Sequence, residues 1–476
     1  MKAGTRIFPH VALSSLLAFM TQCTALILQE GDPERFGQLM LLDIGNVPDE
    51  GASPAITTQT GTFATSGRVA SHQKISDTEG YLKGLLTDSY GLGHALTTIG
   101  DLDDDGITDV ALGAYGDDDM GSDRGAVFVI FMQADGNVRA YQKISDASGN
   151  FTAPLEDHDR LGSAVAAPGD IDGDGVEDLV VGAECSGPTC RGAVYVWLMN
   201  TDGTVKSHQK IDENATNFSG TLDDNDHFGI TVTGIGDLDR DGVPDIAVGA
   251  YADDDGGDGR GAVYVIRLNA DGSVKARQKV SDTQGNFSGD IENGNGLGRS
   301  VTGIGDLDGD GTVDIVAGAP FTDAGGSSRG TIWIWYMNAD GTVASYQKIS
   351  QYDGFFSGNL WNGDRLGESI LAPGDLDGDG VIDLVAGAVG TDSNKGAIWT
   401  IFLNPDGTVK AEQQISESVG NFTGGLDDGD HFGMNVTVPG DLSGDGVPDY
   451  VVGSWLDDDG GHDRGALYVL HMEAAE

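Results

Sequence analysis

The densest chemistry in the chain is an acidic phrase that starts at Asp237 and reads DLDRDGVPDI. Counting from Asp237, side-chain oxygens fall at positions 1, 3, 5 and 9, on Asp237, Asp239, Asp241 and Asp245. Gly242 follows position 5, where the chain must turn sharply, and Val243 at position 7 can offer its carbonyl. Carboxylates alternating along a tight turn converge on one point. Calcium suits such a donor set, because it takes about six to eight hard oxygens at about 2.3–2.6 Å in a flexible cage. Magnesium suits it less well, since it demands near-octahedral geometry and holds its waters. An EF-hand would carry a bidentate Glu at position 12. That position is Val248, inside an apolar run, so the loop is not an EF-hand.

The phrase recurs six times, 66 to 69 residues apart. The expected ligand sets are Asp101, Asp103, Asp105, Ile107 and Asp109; Asp170, Asp172, Asp174, Val176 and Asp178; and Asp237, Asp239, Asp241, Val243 and Asp245. They continue with Asp306, Asp308, Asp310, Thr312 and Asp314; Asp375, Asp377, Asp379, Val381 and Asp383; and Asp441, Ser443, Asp445, Val447 and Asp449. Ser443 replaces an acid, so the last site is expected to be the weakest. An acid-tolerant Asx turn would explain one such loop. Six loops, each with crowded carboxylates, argue for bound cations, and about six calcium ions are expected.

The segments around each loop must position it. ITVTGI, DIAVGA, GAVYVIRL and VKARQKV are short, rich in β-branched residues, and bounded by Gly/Asp clusters. Asp271-Gly272 supplies a hairpin turn between the last two. No long window after Glu30 has helical periodicity. Each unit therefore reads as four antiparallel strands, and units of this kind arranged radially make an all-β propeller. The third strand is apolar almost throughout, as in AVFVIFM from Ala126 to Met132, which fits packing between neighbouring blades. The sixth unit lacks its fourth strand, while SGRVASHQKISD, from Ser66 to Asp77, is a fourth strand without a unit. Six blades are therefore expected, with Val69–Ile75 hydrogen-bonded beside Ala466–Met472. The alternative is a seventh, degenerate blade built from residues 26–65, where RFGQLMLLDIGN begins like a blade opening.

Composition restricts the function classes. The 476 residues include 26 Lys+Arg against 76 Asp+Glu, a net charge of −50. Nucleic acids and anionic membranes are disfavoured as partners. Lys2 and Arg6 precede an apolar run to about Met20, so residues 1–25 read as a secretory signal and the product as secreted. No later stretch is long enough to span a bilayer. Cys185 and Cys190 in ECSGPTCRG are expected to form a local disulfide, with Cys23 lost with the signal. Sequons at Asn150, Asn214, Asn217, Asn286, Asn421 and Asn435 suit an exported surface, although GNFTG and GNFSG also fit turns with a buried Phe.

The unit HFGITVTGIGDLDRDGVPDIAVGAY, and equally GLGRSVTGIGDLDGDGTVDIVAGAP, resembles the FG-GAP repeat of the integrin alpha-subunit N-terminal propeller. The resemblance covers about residues 90–472. It implies calcium loops on one rim of a seven-bladed propeller, and protein partners on the opposite rim and side loops. This sequence differs in having six clear blades and an acidic loop in nearly all of them.

Other residues carry lesser expectations. A second acidic cluster (Asp117 to Asp119, Asp253 to Asp255, Asp457 to Asp459) and a third (LDDNDHFG, LDDGDHFG) read as solvated loops or auxiliary cation sites. Arg124, Arg191, Arg260, Arg329, Lys395 and Arg464 are expected to pair with nearby acids. Trp197, Trp333 and Trp335 are expected in the core, while Trp361 and Trp455 are placed to stack on a sugar or anchor a partner. There is no H-E-x-x-H. The sequence is thus read as a non-enzymatic, calcium-binding adhesion or protein-interaction module with an extracellular protein or glycan partner. The alternatives are a calcium-dependent lectin and, less favoured, a carbohydrate-active enzyme. An enzyme would need a single-copy cluster of acid, base and cationic groups.

Overall fold

The computed structural model describes residues 65–76, 78, 94–106, 109–132, 138–441, 443, 445–459 and 461–475. The signal, the remainder of the 26–65 segment, Cys23 and Ile107 lie outside these residues. The chain order begins with β1 (Thr65–Ile75). Blade 1 holds β2 (Leu96–Thr98), β3 (Val110–Ala114), β4 (Ala126–Met132) and β5 (Val138–Ile144). Blade 2 holds β6 (Leu161–Gly169), β7 (Asp178–Ala183), β8 (Ala193–Met199) and β9 (Val205–Ile211). Blade 3 holds β10 (Thr231–Gly236), β11 (Asp245–Ala250), β12 (Ala262–Leu268) and β13 (Val274–Ser281). Blade 4 holds β14 (Ser300–Gly305), β15 (Asp314–Ala319), β16 (Thr331–Met337) and β17 (Val343–Ile349). Blade 5 holds β18 (Leu366–Gly374), β19 (Asp383–Ala388), β20 (Ala397–Leu403) and β21 (Val409–Ser416). Blade 6 holds β22 (Phe432–Gly440), β23 (Asp449–Ser454), β24 (Ala466–Ala474) and β1.

The result is a six-bladed propeller of four-stranded antiparallel sheets. Blade 6 is closed by β1, with Val69 opposite Met472 and Ile75 opposite Leu467, as the strand count requires. β1 also makes the tie that other fourth strands make to the preceding connection. The Val69 N–H donates to the Gly420 carbonyl at 3.0 Å, just as Val205 donates to Gly149 at 3.0 Å. Pairing covers an edge that would otherwise expose a row of unpaired N–H and C=O groups.

The core lies between blades. Five apolar clusters each bridge one adjacent pair, from blades 1 and 2 through to blades 5 and 6. The second and third strands are the deepest elements: β7, β11, β15, β19 and β23 are buried along their whole length, as are β8, β16 and β20. Trp197, Trp333 and Trp335 sit there, as expected, with Phe151 and Phe287 edge-on or tilted against them. Two recurring glycines let the blades approach. A Cβ on Gly182 would lie 2.0 Å from the Gly229 carbonyl oxygen of the next blade, so the second strand must carry glycine at that point.

Candidate functional site

Each acidic loop joins the first strand of a blade to its second. The turn has one shape in all six copies. The glycine after position 5 has φ between +87° and +90° at Gly106, Gly175, Gly242, Gly311, Gly380 and Gly446, a conformation that other residues adopt only with strain. Position 1 fastens the turn from inside. Asp237 accepts the N–H of Asp241 on Oδ1 at 3.0 Å and that of Gly242 on Oδ2 at 2.7 Å. Position 9 fastens it to the sheet. The buried Asp245 accepts the N–H of Leu238 at 2.9 Å and, from the end of β12, that of Leu268 at 3.0 Å. Asp178, Asp314 and Asp383 repeat this pair of bonds in their blades, while Asp449 accepts the N–H of Ser443, at position 3, and that of Met472. Burial pushes Asp178, Asp245 and Asp383 up to about 7 and Asp314 up to about 6, with the acids at positions 1 and 3 or 3 and 5 adding to the effect.

Positions 1, 3 and 9 converge. One carboxylate oxygen from each of Asp101, Asp103 and Asp109 lies within 4.8 Å of the others, and the same holds for Asp170, Asp172 and Asp178 and for Asp237, Asp239 and Asp245. Position 5 also braces the turn in five loops. Asp174, Asp241, Asp310, Asp379 and Asp445 each accept the N–H of position 7, on Val176, Val243, Thr312, Val381 and Val447. In loop six, the Ser443 hydroxyl donates to Asp441 at 3.3 Å, and His471 lies 3.2 Å from Asp449. The donor set fits a hard cation on an independent ground. Oδ1 of Asp103, Asp239 and Asp377, at position 3, is buried and has no hydrogen-bond partner. A buried carboxylate oxygen left without a partner is costly, and a cation on the 1-3-9 cluster would satisfy it.

The spacing did not reveal a basic partner on the fourth strand. Lys206 lies 2.5 Å from Asp172 and 2.6 Å from Asp174, bridging positions 3 and 5. Lys410 bridges Asp377 at 2.6 Å and Asp379 at 2.5 Å. Lys275 does the same with Asp239, at 2.7 Å, and Asp241, while Arg139 holds Asp103 and Asp105. In the three loops with an orphaned Oδ1, the basic group takes the other oxygen of position 3.

A family model described as an FG-GAP-like repeat matches residues 170–248 and 306–386. The chain carries FG-GAP-like repeats. It is similar to Integrin alpha pat-2 of Caenorhabditis briggsae, 28% identical over 283 residues, covering 56% of this chain and 21% of that protein. It is 33% identical over 167 residues to Integrin alpha-4 of Xenopus laevis, covering 34% of this chain and 15% of that one. It is also 30% identical over 210 residues to the phosphatidylinositol-glycan-specific phospholipase D of Rattus norvegicus, covering 42% of this chain and 23% of that enzyme. The chain thus spans about a fifth of the length of these relatives. Among the described residues, no helix is long and apolar enough to cross a membrane.

The FG-GAP openings also surround the propeller axis, and there the repeat is broken. Residues flanking the openings, with Tyr115, Glu184, Tyr251 and Trp455 just after their second strands, form a belt at the end away from the acidic loops. Glu184 receives Arg160 at 3.0 Å and faces His227 at 3.4 Å. Arg299 donates to Glu368 at 2.8 Å and lies over Tyr251. His94 packs on Tyr115 and Trp455, and the Trp455 indole donates to His431 at 3.3 Å. Burial opposes ionisation of Glu184, but His227, His94 and Arg160 outweigh it and hold the acid down at about 2. Burial and then the Arg299 charge depress His94 to about 4. Below the belt lies a cavity of about 100 Å³, bounded by His94, Arg299, Glu368 and Asn435 among others. Asn435 donates to the His94 carbonyl at 3.2 Å, linking blade 6 to blade 1. No local motif announces this belt, because its members are scattered over six blades. The only signal is that residues beside a repeated opening fail to repeat.

The lesser expectations divide. The second acidic cluster is neutralised by the chain's own lysines on the fourth strands. Lys143 reaches Asp117 and Asp119, Lys279 reaches Asp253 and Asp255, and Lys74 reaches Asp457 and Asp459. Arg124, Arg191 and Arg260 pair with acids as expected. Arg329 contacts Asn362 while its charge acts on Asp364, and Lys395 donates to the Leu426 carbonyl, which its blade places within reach. In the third cluster, Asp226 and Asp430 are buried turn acids that accept the N–H of Asp223 and Asp427. Cys185 and Cys190 are disulfide-bonded. The sequon residues Asn150, Asn217, Asn286 and Asn421 have positive φ in turns whose following Phe is buried. Trp361 is exposed, together with Tyr352 and Phe355 on the same connection between blades 4 and 5.

Proposed function

We propose that the chain is a secreted, calcium-binding FG-GAP propeller that serves as a protein-interaction or adhesion module. The observation that carries the metal reading is the buried, partnerless oxygen of position 3 inside an acidic cluster, present in blades 1, 3 and 5. The side chains at positions 1, 3, 5 and 9, with the carbonyl at position 7, would hold the ion in each loop. When bound, calcium supplies positive charge that ties the two ends of the loop together. The likeness to integrin alpha subunits supports an interaction role without catalysis. Tyr352, Phe355 and Trp361 support it further, since exposed aromatics of this kind mark contact surfaces. The test is a pull-down from extracellular extract with the full chain, in calcium and in EDTA. Specific partners captured in calcium and lost in EDTA support the reading. The same capture by a Trp361→Ala, Phe355→Ala double variant would remove the aromatic connection from it.

A second reading, glycan binding, is favoured by the axial belt. Trp455, at a loop position on the belt, offers an aromatic ring for a sugar, and Arg299 and Glu368 offer polar groups beside a cavity. A glycan array probed with the wild type and with Trp455→Ala tests it. Binding that survives the substitution would move any glycan site away from the axis.

A further inference from the structure

The fourth-strand position that supplies the bridging cation is not filled alike in all blades. It is the second residue of the strand: Arg139 in β5, Lys206 in β9, Lys275 in β13 and Lys410 in β21. In β17 the same position is Ala344, and in β1, which starts earlier, the aligned residue after Val69 is Ala70. Blade 4 combines this Ala with a complete acid set at Asp306, Asp308, Asp310 and Asp314. Among the described residues, no ion pair to Asp306, Asp308 or Asp310 is found. The side chain that reaches this loop is Arg240 of blade 3, which donates to the Gly311 carbonyl and not to a carboxylate. Blade 6 lacks the basic residue too, but Ser443 has already removed one acid there.

We propose that the basic residue is a resident counter-cation that holds positions 3 and 5 together when calcium is scarce and lowers the affinity for calcium when it arrives. The inference rests on the calcium reading above. Blade 4 then carries the tightest site, blades 1, 2, 3 and 5 carry weaker sites, and blade 6 is weakened by its missing acid. The geometry permits both charges at once: Lys275 takes Oδ2 of Asp239, while Oδ1 stays without a partner. The lysine therefore need not leave for the ion to bind, and its cost is mutual repulsion. A unit positive charge about 5 Å from the ion costs an amount equivalent to about fourfold in affinity in water-like surroundings, and more where the protein excludes solvent. Lys275 is about a third exposed, so a change of about 4- to 10-fold is expected.

The experiment uses the full secreted chain, stripped with EDTA, desalted, and titrated with calcium by calorimetry. Melting in EDTA is the second readout. The wild type is expected to show one tight site and several weaker ones. Lys275→Met should add a second tight site and lower the melting temperature of the calcium-free protein. Lys275→Arg should restore both. Ala344→Lys is the reverse test and should abolish the single tight site while raising the calcium-free melting temperature. Calcium uptake with unchanged or weakened affinity in Lys275→Met, or a tight site that survives Ala344→Lys, overturns the counter-cation and leaves the calcium reading standing. A wild-type chain that takes up no calcium overturns both.

Discussion

Replacing Ile75 by Ala probes the ring closure with little disturbance elsewhere. Ile75 is 1% exposed and contacts Val451, Leu467 and Val469, all within blade 6. Truncating a buried Ile to Ala costs about 2–5 kcal/mol, combining lost transfer energy with the cavity left behind. A mid-range cost of about 3 kcal/mol corresponds to about a 100-fold increase in local opening. Ile349, 0% exposed in β17, is the matched control. The two strands differ in attachment. β17 follows β16 through a hairpin, whereas β1 is joined to β24 only by hydrogen bonds and side chains. Native-state hydrogen exchange should therefore find the Ile75→Ala acceleration confined to β1 and the facing amides of β24. Ile349→Ala should speed exchange in β17 together with its hairpin partner. If the β24 amides are unaffected by Ile75→Ala, or if all six blades accelerate equally, β1 is not an independently opening clasp.

Millimolar calcium should raise the melting temperature, because a ligand that binds only the native state adds about 2.7 kcal/mol per site at 100 times its dissociation constant. Differential scanning fluorimetry checks this, and Asp241→Ala should lose more of the calcium-dependent gain than Asp445→Ala. Lys279→Met should destabilise blade 3 by about 3–5 kcal/mol, since Asp253 and Asp255 lose the cation that reaches them at 2.7 Å and 2.8 Å; urea unfolding measures it. Asp226 is pushed up to about 7 by burial and by Asp253. Its folded-state value lies above the unfolded one, so the native state binds the proton more tightly and stability falls as pH rises from about 4 to 7. In EDTA, Asp226→Asn should flatten that fall in a series of melting temperatures across pH, and an unchanged slope would refute the assignment. Asn295, which makes the same turn bond in the next connection, indicates that an amide fits.

The repeat made the blades legible, because each carries its own strands, turn and acidic loop, and the odd strand at one end matched the missing strand at the other. Local spacing pointed to positions 1, 3, 5 and 9 for the same reason, and of these 1, 3 and 9 come together. What stayed hidden depends on distance along the chain. Lys206 and Lys410 lie more than 30 residues from the carboxylates they bridge and resemble any polar residue on an outer strand. Lys143, Lys279 and Lys74 were equally anonymous in the recurring Gln-Lys, so the expected partners of nearby acids were the arginines after the second cluster and not these lysines. Arg160, Glu184, His227, Arg299 and Glu368 become neighbours only when the ring closes.

The closing strand carries Ser71-His72-Gln73-Lys74-Ile75, and β9 carries the identical pentapeptide, Ser207 to Ile211. As a strand, the clasp is therefore interchangeable with a standard part. What assigns it to blade 6 is the order of synthesis. Thr65 bonds the Glu473 carbonyl across 408 residues, so at about 5–20 residues per second β1 leaves the ribosome roughly 20–80 s before its partner. During that interval β8 and the other third strands are taken in turn by fourth strands only a hairpin away. Among the described strands, β24 is the third strand whose outer neighbour is not a hairpin away, and it pairs with β1, made long before it. On crowded polysomes that strand can belong to the next chain, so the proportion of interlinked dimers should reflect how densely the message is translated.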